Sequence, residues 1–164
     1  MTPELFSEIA LVPALRLLPA RMDSPEAKAM LVAISLQESR LEHRRQLGGP
    51  ARGYFQFEQG GGVRGVLTHP ASKPHIQAVL SALDYDPNSG ADACYAAIEH
   101  HDILACAFAR LLLWTLPGSL PARGDPNLGW EQYLSAWRPG KPHMQTWGDF
   151  YEQAWSVASP SAPA

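Results

Sequence analysis

Glu38 ends the run Ile34-Ser35-Leu36-Gln37-Glu38, in a stretch that otherwise reads as a buried helix. Ala27, Met30, Leu31 and Ile34 recur at steps of three and four, and Glu38 follows Ile34 by one more turn. The opposite face carries Ala29, Val32, Ala33 and Leu36. A helix apolar nearly all round belongs in the centre of a domain. A carboxyl on such a helix loses solvent, which disfavours its charged form and raises its pKa. A carboxylic acid still protonated near neutral pH can give its proton to a leaving group. The plainer alternative is a helix-end glutamate turned to water or paired with an arginine.

After Glu38-Ser39 come a basic loop and the segment Gly49-Pro50-Ala51-Arg52-Gly53-Tyr54-Phe55-Gln56-Phe57-Glu58. Glycine and proline predict an irregular turn, and Tyr54 to Phe57 reads as a short strand-like element. Helix, Glu-Ser, basic loop, then Gly-x-x-Gln resembles the lysozyme superfamily, specifically the soluble lytic transglycosylases and goose-type lysozymes. Glu38-Ser39 and Gly53-Tyr54-Phe55-Gln56 stand where that pattern has Glu-Ser and Gly-x-x-Gln. Tyr54-Phe55 replaces the usual Leu-Met. The later Ala-Tyr-Asn-Ala-Gly signature is not visible, its nearest analogue in position being Ala107-Phe108-Ala109-Arg110.

The resemblance implies a mainly α, α+β lysozyme-like fold with a small β-like element beside a cleft. It implies cleavage of β-1,4 bonds between N-acetylmuramic acid and N-acetylglucosamine in peptidoglycan glycan strands. Glu38 would be the acid. Glu58 is the second candidate catalytic carboxylate, at a place where some goose-type lysozymes carry an acid. An inverting glycosidase uses such a group to activate water, with the carboxyls roughly 6.5–9.5 Å apart. A lytic transglycosylase needs no water and leaves 1,6-anhydro ends. Glu58 favours hydrolysis, although it can equally cap the element beside three glycines.

The remaining candidates for substrate binding are Ser39, Tyr54, Phe55, Gln56, Tyr133, Trp137 and Tyr151. Ser39 can meet substrate or end the helix. Gln56 can bond a sugar or shape its own loop. Strand alternation would turn one ring of Tyr54 and Phe55 inward and leave the other for stacking on a sugar. Trp137, before Arg138-Pro139-Gly140-Lys141, is the expected cleft-edge aromatic. Tyr133 and Tyr151 are alternatives for the tyrosine that bonds the acid in this superfamily, and the sequence does not choose between them.

With 164 residues, 46% apolar and 18% charged, the chain suits one globular domain over 1–158 and a disordered tail over 159–164. A net charge of -3 argues against nucleic acid as a partner. Arg40, Arg44, Arg45 and Arg52 form a local basic cluster, either solvated or set to hold an anionic polymer. Cys94 and Cys106 sit in alanine-rich helical runs, as small buried hydrophobes do. A bridge between them is the less favoured reading. Zinc spacing is absent and the pair His100-His101 is only a weak metal candidate, with Glu99 and Asp102 the carboxylates near it. Without a Gly-x-Ser-x-Gly elbow a serine nucleophile is not expected, and the lysozyme-like chemistry implied by the resemblance needs no cofactor.

Pro13 is expected to kink or break a first helix over 4–18. Ser24-Pro25 marks the start of the Glu38 helix. Asp102 is expected to cap a second buried helix over 103–114. No run is long enough for membrane insertion. The opening Met1-Thr2-Pro3-Glu4 lacks a basic signal region. Taken with the resemblance, compact size and the missing signal imply a bacteriophage lysin or virion-associated wall enzyme, a monomer made in the bacterial cytoplasm and acting later on the wall. A glycan-binding or structural virion module without turnover is the alternative of another class.

Overall fold

The computed structural model describes residues 1–160; the expected tail lies, from 161 onward, outside them. The chain is mainly helical. The N-terminal segment runs through α1 (Pro3–Phe6), a π-helical turn (Ser7–Leu11) and α2 (Val12–Arg16). Pro13 therefore does not break it. The π turn, closed by Val12 N–H to Ser7 O, widens the helix just ahead of the proline ring.

α3 (Pro25–Ser39) starts as expected, with Ser24 Oγ accepting from Ala27 N–H at 3.1 Å. From Ala27 to Ser39 all but Lys28, Gln37 and Glu38 are buried. α4 (Arg64–Thr68), α5 (Lys73–Ala82) and α6 (Ala91–Ile98) follow, then α7 (Asp102–Trp114). α7 is the second central helix, buried continuously from Leu104 to Leu113. α8 (Pro126–Trp137) and α9 (Met144–Ala158) complete the fold. The buried stripe Trp147, Tyr151, Ala154 and Trp155 repeats at helical spacing and lays α9 along α3. Among the described residues no helix is long and apolar enough to cross a membrane.

α8 comes close to α3 and α9 because residue 129 is glycine. A β-carbon there would stand 2.9 Å from Tyr151 Cε2, 3.2 Å from Trp147 Cζ2 and 3.3 Å from Met30 Sδ. Tyr133 lies one turn further along α8, so this approach carries it toward the end of α3.

Two expectations are corrected. Gly53 to Gln56 is a turn, and the β-like element reduces to isolated bridges, Arg45 with Arg52 and Arg52 with Phe57. Positive φ at Gly53 (73°) and Gln56 (50°) folds the segment back on itself. Tyr54, Phe55 and Phe57 are then all buried, so alternation does not apply. At α7, His101 rather than Asp102 is the cap, its Nδ1 accepting from Leu104 N–H at 3.1 Å. Asp102 is instead held by Arg44, through Nε at 3.2 Å and Nη2 at 2.8 Å.

The rest of the basic loop is tied down in the same way. Arg45 forks onto Glu99 at 2.7 and 2.8 Å, and Arg52 approaches the same carboxylate at 3.9 Å. Three of the four clustered arginines thus dock the loop onto the α6–α7 corner. Arg40 is exposed and lies over Phe150.

Candidate active site

Glu38 is the last residue but one of α3 and is partly buried. Loss of solvent is the largest influence on its carboxyl, and the pKa is pushed up to about 7. The Tyr133 hydroxyl donates to Oε1 and opposes this rise, because it stabilises the charged form. The charge of Glu58 adds a smaller upward push. Burial, together with the charge of Glu38, raises the Tyr133 pKa as well, so the phenol stays a neutral donor. The pair is a carboxylic acid poised near neutrality with a hydroxyl that follows it through ionisation.

Aromatic packing fixes the tyrosine. Its ring stacks on Trp147 at 5.4 Å and 10°, with Trp130 at 5.4 Å and Trp137 at 6.3 Å. Tyr151, the other candidate, donates instead to Ala122 O at 2.6 Å. Geometry therefore selects Tyr133.

The loop after the acid is bolted to the helix end. Ser39 Oγ lies 2.7 Å from Tyr54 O and 3.1 Å from Ser35 O, and it accepts from Leu41 N–H at 3.2 Å. Ser39 is buried, and these contacts use its hydrogen-bonding capacity; its role here is to hold the loop. Trp137 Nε1 donates to Phe55 O at 2.9 Å, and the half-buried indole stacks on Phe57 at 5.7 Å. Tyr54 and Phe55 are 4% and 0% exposed, so neither ring offers a face to a sugar. They contribute carbonyl oxygens that fasten the loop. Gln56 is half-buried, and its Nε2 donates to Gly53 O at 2.9 Å, closing its own turn. Glu58 is exposed just beyond this turn.

Backbone strain gathers in the same region. Arg40 and Leu41, directly after the acid, have φ of 53° and 57°. Gln56 has 50°, and Arg138, directly after Trp137, has 49°. Non-glycine residues in the left-handed region cost about 1 kcal/mol or more each, and such residues cluster at functional sites. Here they turn the chain sharply at three places around Glu38.

Sequence reasoning missed several supports. Thr146 Oγ1 donates to Gln37 Oε1 at 3.0 Å, and Gln37 Nε2 donates to His143 O at 2.9 Å, clamping the acid's helix end to the start of α9. Gly129 and Trp147 position Tyr133 through packing, which no local motif reports. The arginine pair Arg44-Arg45 did have a visible counterpart in Glu99 and Asp102, three residues apart before an apolar helix. The thiols lie elsewhere. Cys94 and Cys106 are free and buried, and burial pushes Cys94 up to about 11.

No family model, curated protein or solved structure matches this sequence.

Proposed function

We propose that the protein is a lysozyme-like enzyme cleaving β-1,4 glycosidic bonds of peptidoglycan, with Glu38 as general acid. The observation that carries this is the partly buried Glu38 carboxyl, pushed up to about 7 and bonded by the Tyr133 hydroxyl. A protonated Glu38 gives its proton to the glycosidic oxygen as the C–O bond breaks. The carboxylate left behind is stabilised by the phenolic O–H, which already points at Oε1. Neither step needs a metal or an organic cofactor. General acid–base assistance of this kind is worth on the order of 10²–10⁴ in rate. In this reading the chain acts as a monomer on glycan strands, in the manner of a bacteriophage lysin or virion wall enzyme.

Hydrolysis is the form we favour, with Glu58 as the base that activates water, because its charge is felt at Glu38. One observation favours the transglycosylase form. Glu58 is exposed, and among the described residues no hydrogen bond or ion pair holds its carboxylate in place.

The test is purified cell wall incubated with wild type and with Glu38→Gln, the released fragments being read by mass spectrometry. The wild type should release muropeptides with reducing ends, and folded Glu38→Gln should release none. Activity retained in Glu38→Gln would remove Glu38 from the chemistry. Wall binding by the wild type without any release would replace the enzyme with a glycan-binding module.

A further inference from the structure

A cleft of about 550 Å³ opens where the loop after α7 passes the start of α3. Ser24, the cap of α3, and Glu26 in its first turn line it, with Arg110 and Trp114 from α7 and Arg21 and Ser119 at its sides. It stands about 18 Å from Glu38 along α3, at 1.5 Å per residue.

Two guanidinium groups approach one indole there. The Arg110 and Arg21 carbons Cζ lie 5.4 and 5.5 Å from the Trp114 ring centre. Arg110 is only 4% exposed. It makes a single hydrogen bond, Nε to Met22 O at 2.8 Å, and among the described residues neither arginine has a carboxylate within ion-pair distance. Burial costs this guanidinium hydration that one carbonyl bond, the Trp114 ring and the charge of Asp23, beyond ion-pair distance, offset only in part. Tethering the Met22 carbonyl needs one N–H, and the terminal amino groups of Arg110 remain uncommitted at a cleft that its side chain lines. Arg45, by contrast, forks completely onto Glu99.

We infer that this cleft is a binding site for a small organic monocarboxylate with an apolar body, its carboxylate on Arg110 and Arg21 and its body against Trp114 and Leu113. A planar guanidinium matches a carboxylate bidentately. The apolar part of the lining, which also includes Leu116 and Leu120, suits an aliphatic chain. Glu26 on the same wall repels a second negative charge, so the site discriminates against phosphate and other multiply charged anions. It is independent of the reading given to Glu38.

The experiment is a heteronuclear NMR titration of the full chain with N-acetylleucine, with its neutral counterpart N-acetylleucinamide, and with inorganic phosphate. N-acetylleucine should move the Trp114 indole N–H and the backbone amides around Arg110 and Ser119, saturating in the millimolar range. The neutral amide and phosphate should not do so. Arg21 is exposed, so Arg21→Ala keeps the fold, and it should weaken N-acetylleucine binding about three- to tenfold. Glu26→Gln should tighten it severalfold. No saturable shift, equal shifts with the neutral amide, or saturation by phosphate alone would each overturn the assignment, as would unchanged affinity in both variants.

Discussion

Replacing Glu38 by glutamine tests the acid without any assumption about substrate. Burial carries the carboxyl from 4.5 to about 7. Below pH 4.5 folded and unfolded chains both hold this proton, and ionisation costs neither of them anything. Between pH 4.5 and about 7 the unfolded chain releases the proton while the folded one keeps it. Rising pH therefore favours unfolding through this window, and the loss is complete above about 7. At about 1.36 kcal/mol per pKa unit the full displacement corresponds to roughly 3 kcal/mol, and about 2–3 once the solvent-facing edge of Glu38 is allowed for. Glutamine keeps the shape and an oxygen that can accept from Tyr133, but it cannot ionise. Glu38→Gln should match the wild type in stability at pH 4 and exceed it by about 2–3 kcal/mol at pH 8. Urea unfolding of both proteins at pH 4, 6 and 8, at fixed ionic strength, reads this difference directly. Other titrating groups cancel in the subtraction. Parallel stability curves across this range would refute the claim that the fold holds Glu38 protonated, and would leave a helix-end residue of no special chemistry.

Three further perturbations probe the neighbours. Tyr133→Phe keeps the stacked ring but removes the hydroxyl that opposes the burial effect, so the Glu38 carboxyl should titrate above the wild-type value; an NMR titration of that carboxyl giving an equal or lower value would contradict the assigned bond. Glu58→Gln should cost wall cleavage about 10²–10⁴-fold if Glu58 activates water, whereas near-wild-type rates with products lacking one water per glycan end would make Glu58 a bystander and the enzyme a transglycosylase. Gly129→Ala puts a methyl group 2.9 Å from Tyr151 and 3.2 Å from Trp147; it should destabilise the fold by about 1–3 kcal/mol in urea unfolding and disturb the Tyr133–Glu38 bond, and an unchanged midpoint would show that α8 can move away freely.

The helices were legible because their signals are local. Ser24-Pro25 marks the start of α3, and the mostly apolar composition of α3 and α7, interrupted in α7 by Arg110, predicts their burial. The β-like element is not legible, because aromatic residues between glycines have the composition of a strand while the segment folds as a turn. Its geometry is decided by positive φ at Gly53 and Gln56 and by simultaneous burial of three rings. At Pro13 only the break is excluded: the π turn that carries the helix past the ring is a hydrogen-bond adjustment with no residue signature of its own. Asp102 looked like a cap until Arg44, fifty-eight positions away, claimed its carboxylate.

The site divides along the same line. Glu38 could be found because burial on its own helix is a local pattern, and burial is the largest influence on its carboxyl. Its partner could not, because Tyr133 and Tyr151 have equivalent local settings. The choice between them is made by long-range packing of α8 against α9, at Gly129 and Trp147. The residues that follow Glu38 turn out to be fasteners: Ser39 is bonded to Tyr54 O, Phe55 O to Trp137, and Gln56 to Gly53 within its own turn. That division has a physical sense. A carboxyl whose pKa depends on lost solvent needs walls that do not move, and the loop that follows it supplies them. The group that must respond when the proton leaves, the Tyr133 hydroxyl, arrives from a different helix, where aromatic stacking rather than the loop sets its position.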